Sequence, residues 1–210
     1  MTDPATQPND WISRWQRIAR RIRVPLGFAT AAVYLVEAGR HAPLPVAVAW
    51  SLALVIPGLW LRGYASGYVK KNEELTTTGP YAHVRNPLYL GSILIAAGFA
   101  VALLSWPVAV LLALMFVVIY VPVIASEERF LRATFPEFEE YCRRVPRLIP
   151  RLTPALSPDT GSGAEQRGRF FMPLYLKHRE YNALLGVALL YFCLIFLRAA
   201  LNAIFRGQAF

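Results

Sequence analysis

The chain has 210 residues; 56% are hydrophobic, only 17% are charged, and the formal net charge is +9. Soluble domains carry about 25% charged residues and about 45–50% apolar ones even with glycine counted. The numbers conflict for a soluble domain, and disorder is excluded as the main state, because disordered chains are apolar-poor. A basic balance points to nucleic acid or to a membrane surface; the apolar excess selects the membrane, and no nucleic-acid partner is expected.

Residues 1–23 are polar and Arg-rich, with Trp11 and Trp15 beside Arg14, Arg17, Arg20, Arg21 and Arg23. They predict a basic interfacial helix on the cytoplasmic membrane surface, capped by Asn9 or Asp10. No small-residue cleavage pattern follows the first apolar run, which reads as a retained span. Five apolar stretches follow in order: Val24–Gly39, Val46–Leu61 with a possible extension past Arg62, Leu88–Trp106, Val108–Ala125, and Tyr181–Leu197 with a possible extension to Phe205. Roughly 20 helical residues cross a hydrocarbon core of about 30 Å. The third and fourth runs, joined by Ser105-Trp106-Pro107, predict a tight helical hairpin, and Leu88–Ala125 holds no charge with which to face water. The predicted fold is all-α, a multi-pass membrane bundle of about five transmembrane helices.

With the N-terminus inside, the cytoplasmic segments hold 19 of the 22 Lys and Arg residues. That bias sets orientation and, in a bacterium, assigns the chain to the inner membrane. Residues 24–150 form the expected membrane domain. Residues 151–180 are expected as a cytoplasmic linker, since Leu156–Arg169 is rich in Gly, Ser and Pro. Residues 181–210 are expected as an extra C-terminal span. The two cysteines, Cys142 and Cys193, form no disulfide framework.

Three cytoplasmic pieces carry chemistry. The first is Thr78–Gly91, with a Gly79-Pro80 turn, Arg85, and Asn86-Pro87 as a helix start with Asn as cap. A helix N-terminus beside Arg85 suits a carboxylate or phosphate, and Gly91 would let a flat group approach the backbone. The second is Glu127-Glu128 at the end of the fourth span. Paired carboxylates leaving an apolar helix are costly to bury, and the hairpin brings them to the same face as Arg85. The third is Phe135–Tyr141 followed by Val145-Pro-Arg-Leu-Ile-Pro150, an aromatic helix and an extended stretch with Tyr141 and Arg147 turned inward.

In this order the pieces, from Leu75 to Pro150, resemble the isoprenylcysteine carboxyl methyltransferase family, which is related to the phospholipid N-methyltransferases. The resemblance implies an S-adenosylmethionine pocket on the cytoplasmic side and no metal. It assigns cofactor binding to Tyr81, His83, Arg85, Asn86, Pro87, Tyr89, Gly91, Glu128 and Tyr141, and the catalytic set to Glu127, Glu128 and Arg147. Arg85 and the helix start would hold the carboxylate, a glutamate the ribose hydroxyls or amino group, and Tyr89 the sulfonium by cation–π attraction. A lipophilic or lipidated acceptor would enter from the bilayer, and membrane lipid would surround the bundle. Departures are Asn86 where the family commonly has His, Phe138 where it often has Gly or Tyr, and no Arg in Pro122–Ser126 ahead of the acidic pair. Carboxyl, thiol and phospholipid amine acceptors therefore all stay open, as does a non-enzymatic protein on the same scaffold. Sterol reductases share a similar motif but use NADPH and need many more spans.

Overall fold

The computed structural model describes residues 10–40, 43–70, 74–155 and 169–197. Every regular element among them is helical: α1 (Asp10–Arg40), α2 (Pro45–Ser66), a short 3-10 turn (Gly79–Ala82), α3 (Pro87–Leu103), α4 (Trp106–Met115), a π-helical segment (Phe116–Tyr120), α5 (Val121–Thr134), α6 (Phe138–Arg144), α7 (Met172–Lys177) and α8 (Tyr181–Phe192). A second π segment (Cys193–Leu197) extends α8.

Two helices are long and apolar enough to cross a membrane, Pro45–Ser66 and the continuous Trp106–Thr134; Pro87–Leu103 and Tyr181–Phe196 are apolar but shorter. Only 22% of the most apolar window of each long helix is buried, whereas a core helix of a soluble protein would be mostly covered. Phe28, Trp50, Ile56, Trp60, Val117 and Leu189 are all exposed. An outer surface of this kind suits lipid rather than water, and the chain reads as a membrane protein.

Two expectations change. The basic N-terminal segment and the first span are one 31-residue helix, with Pro25 inside it. Asp10 is its first residue, and Asn9 lies outside the described residues. Residues 169–180 are not a linker. They hold α7, Phe171 N–H donates to the Gly67 carbonyl at 2.9 Å, and His178 Nδ1 lies 3.0 Å from the Ser66 carbonyl. The Gly/Ser/Pro-rich residues 156–168 and the extension to Phe205 lie outside the described residues. The placement of the last span, left open by the sequence, is against the bundle: the Tyr191 and Ser51 hydroxyls are 2.7 Å apart, and Val187 and Leu194 join Tyr34, Val55, Phe99 and Val108 in one core.

The α3–α4 hairpin forms as expected. Leu104 closes it in the left-handed region (φ 49°), a helix-ending conformation. Small residues let α2 and α3 approach closely. A Cβ on Gly58 would sit 2.8 Å from the Gly91 carbonyl oxygen, and one on Gly91 would sit 2.7 Å from that of Gly58. Such backbone contact is how membrane helices associate without a hydrophobic driving force. The π segment has a traceable partner. Pro122 has no N–H for the Val118 carbonyl four residues earlier, and the Trp15 indole N–H of α1 donates there at 3.1 Å. Ala19, Ile119, Val123 and Tyr89 pack around this join.

Candidate functional site

The start of α3, the end of α5, α6 and the following tail meet at one end of the bundle. Backbone hydrogen bonds hold the tail along the segment preceding α3: Arg85 N–H to the Pro146 carbonyl, Arg151 N–H to that of His83 and Ala155 N–H to that of Ala82, each 2.9 Å. Tyr141, buried on α6, donates its hydroxyl to the Tyr81 carbonyl at 2.8 Å. Burial pushes the Tyr81 and Tyr141 phenols well above their ordinary range, so both stay neutral.

Glu128 is the centre of this end. Its side chain is 9% exposed. Arg147 grips it with two hydrogen bonds, Nε to Oε1 at 2.9 Å and Nη2 to Oε2 at 2.5 Å. Arg85 Nη1 lies 3.7 Å from Oε1, and Asn86 Nδ2 donates to the same oxygen at 3.2 Å. A buried carboxylate needs such partners. The hydrogen bond to Glu128 in turn raises the Arg147 guanidinium above its already high range. Glu127 faces outward and accepts from the Tyr89 hydroxyl at 2.9 Å, while the Tyr89 ring meets Tyr120 edge-on. Arg85 also donates to Cys142 Sγ, and its Nε is buried with no hydrogen-bond acceptor among the described residues.

Sequence-predicted residues thus separate by role. Arg85, Asn86 and Arg147 all meet at Glu128. Tyr89 and Glu127 form the adjoining pair, and Tyr81 and Tyr141 brace the 3-10 turn against α6. Pro87 is the buried first residue of α3. Two readings are corrected. Asn86 stands at the N-cap position but makes no side-chain cap bond; its amide turns instead to Glu128 and the Arg147 carbonyl. Gly91 offers its bare face to Arg62 and Gly58 of α2, not to a ligand. His83 lies beside the tail, with Nδ1 2.8 Å from the Arg151 carbonyl.

Arg62 escaped sequence reasoning. It donates to the Leu88 carbonyl (3.2 Å) and Ser92 Oγ (2.5 Å) in α3, and pairs with Glu180 at 2.8 Å. Its signal was available: it is the one charge in the apolar run from Val46 to Val69. Its partner, far along the chain, carried none.

A membrane helical bundle with a buried Glu–Arg–Asn cluster at one end of an apolar hairpin defines the class. The family model described as phospholipid methyltransferase matches residues 46–137, the same superfamily as the isoprenylcysteine carboxyl methyltransferases. The match takes in Arg85, Asn86 and Glu128 and stops short of Tyr141 and Arg147. The chain is 46% identical over 88 residues to the cobalt-zinc-cadmium resistance protein CzcN of Cupriavidus metallidurans. It is 43% identical over 88 residues to the nickel-cobalt-cadmium resistance protein NccN of Alcaligenes xylosoxydans xylosoxydans. Each alignment covers 42% of this chain and 40% of the relative's length. No solved structure matches the chain.

Proposed function

We propose that the chain is an S-adenosylmethionine-dependent methyltransferase of the membrane, of the isoprenylcysteine carboxyl methyltransferase type, that methylates a lipophilic acceptor. The observation that carries this reading is the convergence of Arg85, Asn86 and Glu128, all within the stretch that resembles phospholipid methyltransferases, with Arg147 beyond it. We read the apolar helices as about five spans, with α3 and α8 crossing by tilt or local thinning and the cluster on the basic, cytoplasmic side.

The donor set fits the cofactor. The Nε of Arg85, buried with no acceptor among the described residues, and the N–H groups at the start of α3 suit an α-carboxylate. Glu128 suits an ammonium or the ribose hydroxyls, and the Tyr89 ring a sulfonium. Bound there, S-adenosylmethionine supplies an activated methyl group. The chain's own residues bind, orient and exclude water. Arg147 holds Glu128 neutralised until a ligand's donors compete for the same oxygens. The hydrogen bond from Tyr89 to Glu127 fixes the ring beside the apolar hairpin, where an acceptor arrives from the bilayer.

The match over residues 46–137 favours a second reading of the acceptor, a phospholipid amine. By likeness to the relatives, the cellular setting is metal resistance. Calorimetric binding of S-adenosylhomocysteine to the purified protein tests the reading: the wild type binds and Arg85→Ala does not. Absence of binding by the wild type overturns it. Labelled S-adenosylmethionine added to membranes, followed by lipid and protein fractionation, then identifies the acceptor.

A further inference from the structure

The outer face of α1 changes character along its length. At about 100° per residue, Arg14, Arg17, Arg21, Val24 and Phe28 fall on one stripe about 80° wide, and all five are exposed. The opposite side of the same turns is packed. Ala19 is fully buried there, and Trp15, Ile22 and Leu26 lie with it against Ile119, Val123 and Tyr89. Arg17 and Arg21 make no ion pair among the described residues, and no acidic residue stands between Trp11 and Val36. Asp10 is the nearest carboxylate to Arg17 on its own helix, about 10 Å away by helical rise.

Val24 opens the first apolar run. With that run in the hydrocarbon, Arg21 and Arg17 stand about 4.5 Å and about 10 Å beyond its edge, at and just above a headgroup layer about 5–7 Å deep. Guanidinium groups at that height meet phosphates, which they hold with paired hydrogen bonds. Val24 and Phe28 carry the stripe on along the acyl chains. A free phosphate would use the arginines and leave the apolar half of the stripe unexplained. A zwitterionic lipid would bring a cation beside its phosphate, to face arginines with no carboxylate among them. Orientation needs only the number of basic residues on one side, not their alignment above an apolar stripe. We propose that this stripe binds an anionic phospholipid, with its phosphate on Arg17 and Arg21 below Arg14 and its chains over Val24 and Phe28, and that the bound lipid holds α1 against Tyr89. The proposal rests on the reading of α1 as a span and not on methyl transfer.

Native mass spectrometry of the full chain in mild detergent tests the binding, with phosphatidylglycerol and phosphatidylcholine of equal chain length. A basic residue near an anionic surface is worth about fivefold, so two of them should make wild type retain phosphatidylglycerol about 25-fold better. Arg17→Gln and Arg21→Gln should each lower that preference about fivefold and together abolish it. Both positions are solvated, and most of the basic residues that set orientation remain. Arg143→Gln, at an exposed position on α6, should leave the preference intact. In vesicles of phosphatidylglycerol, the backbone amides of residues 14–26 should exchange hydrogen more slowly than in vesicles of phosphatidylcholine, and Arg17→Gln with Arg21→Gln should erase the difference. Equal retention of the two lipids by wild type overturns the proposal, as does a preference that survives the double variant or falls as far with Arg143→Gln. Exchange indifferent to lipid charge overturns it too, and displacement of the lipid by equimolar glycerol phosphate assigns the stripe to a soluble anion instead. S-adenosylhomocysteine binding in the same sample reports on the Glu128 cluster, so failure of either reading is seen separately.

Discussion

Replacing Glu128 by Gln removes the charge that gathers Arg147, Arg85 and Asn86, while keeping the shape of the side chain. Glutamine retains one acceptor oxygen and turns an NH2 toward a guanidinium. Arg85, 16% exposed, then lacks the carboxylate that balances it. Arg147, 43% exposed, recovers part of its loss from water. Removing one partner of a buried pair costs about 3–5 kcal/mol; with Arg147 half-solvated the lower figure applies, about 3 kcal/mol. Arg147→Ala removes the solvated partner and leaves Glu128 with Arg85 and Asn86, so about 1 kcal/mol is expected, near the upper range for exposed pairs. For a chain of this size 1 kcal/mol is about 2–4 °C in Tm. Thermal unfolding in detergent should therefore show a drop of about 6–12 °C for Glu128→Gln and about 2–4 °C for Arg147→Ala. The reverse order, or an unchanged Tm for Glu128→Gln, would refute the claim that Glu128 is the charge centre of this end.

Gly91→Ala puts a Cβ 2.7 Å from the Gly58 carbonyl oxygen, and such overpacking should lower stability by about 1–3 kcal/mol in thermal unfolding. Trp15→Phe removes the donor to the Val118 carbonyl and should cost about 1 kcal/mol by the same assay. In a double-mutant cycle, Arg62→Met and Glu180→Gln should be non-additive by about 1 kcal/mol or more, because their pair is direct; additivity would show the pair to be idle. The raised Tyr81 and Tyr141 phenols contribute stability that is intact below the ordinary phenol range near about 10 and declines as pH rises above it. Tyr141→Phe should therefore flatten the alkaline limb of a stability–pH curve, and leave unchanged the number of phenols titrating below about pH 11 in an ultraviolet titration.

The hairpin was legible because Ser105-Trp106-Pro107 leaves no room for another connection, and the meeting of Arg85 with Glu128 followed from it. Which glutamate turns inward was not legible, since neighbours on a helix point about 100° apart and helical phase depends on packing that one sequence does not display. Asn86 carries the right chemistry for a cap, yet a buried carboxylate offers its amide a stronger partner than a backbone N–H does. Gly91 looked like an opening for a ligand because a missing Cβ reads the same whether a cofactor or a neighbouring helix fills the space. The five-span expectation rested on apolar runs alone. The chain carries helix through Arg14–Arg23, where apolarity fails, and stops α3 at 17 residues because the turn at Leu104 comes early.

The family match ends at residue 137, but two charges inside it have their closest partners outside it. Glu128 is held by Arg147, and Arg62 by Glu180. A fragment cut at the edges of the match would keep every recognisable motif residue of the Arg85–Glu128 stretch and lose both counterions. Moved onto another protein, those motifs would arrive with Arg62 short of its carboxylate and with Glu128 left to Arg85 and Asn86 alone. The transferable unit therefore runs on at least to Glu180, just ahead of α8, and chimeras with the relatives should place their junctions beyond it.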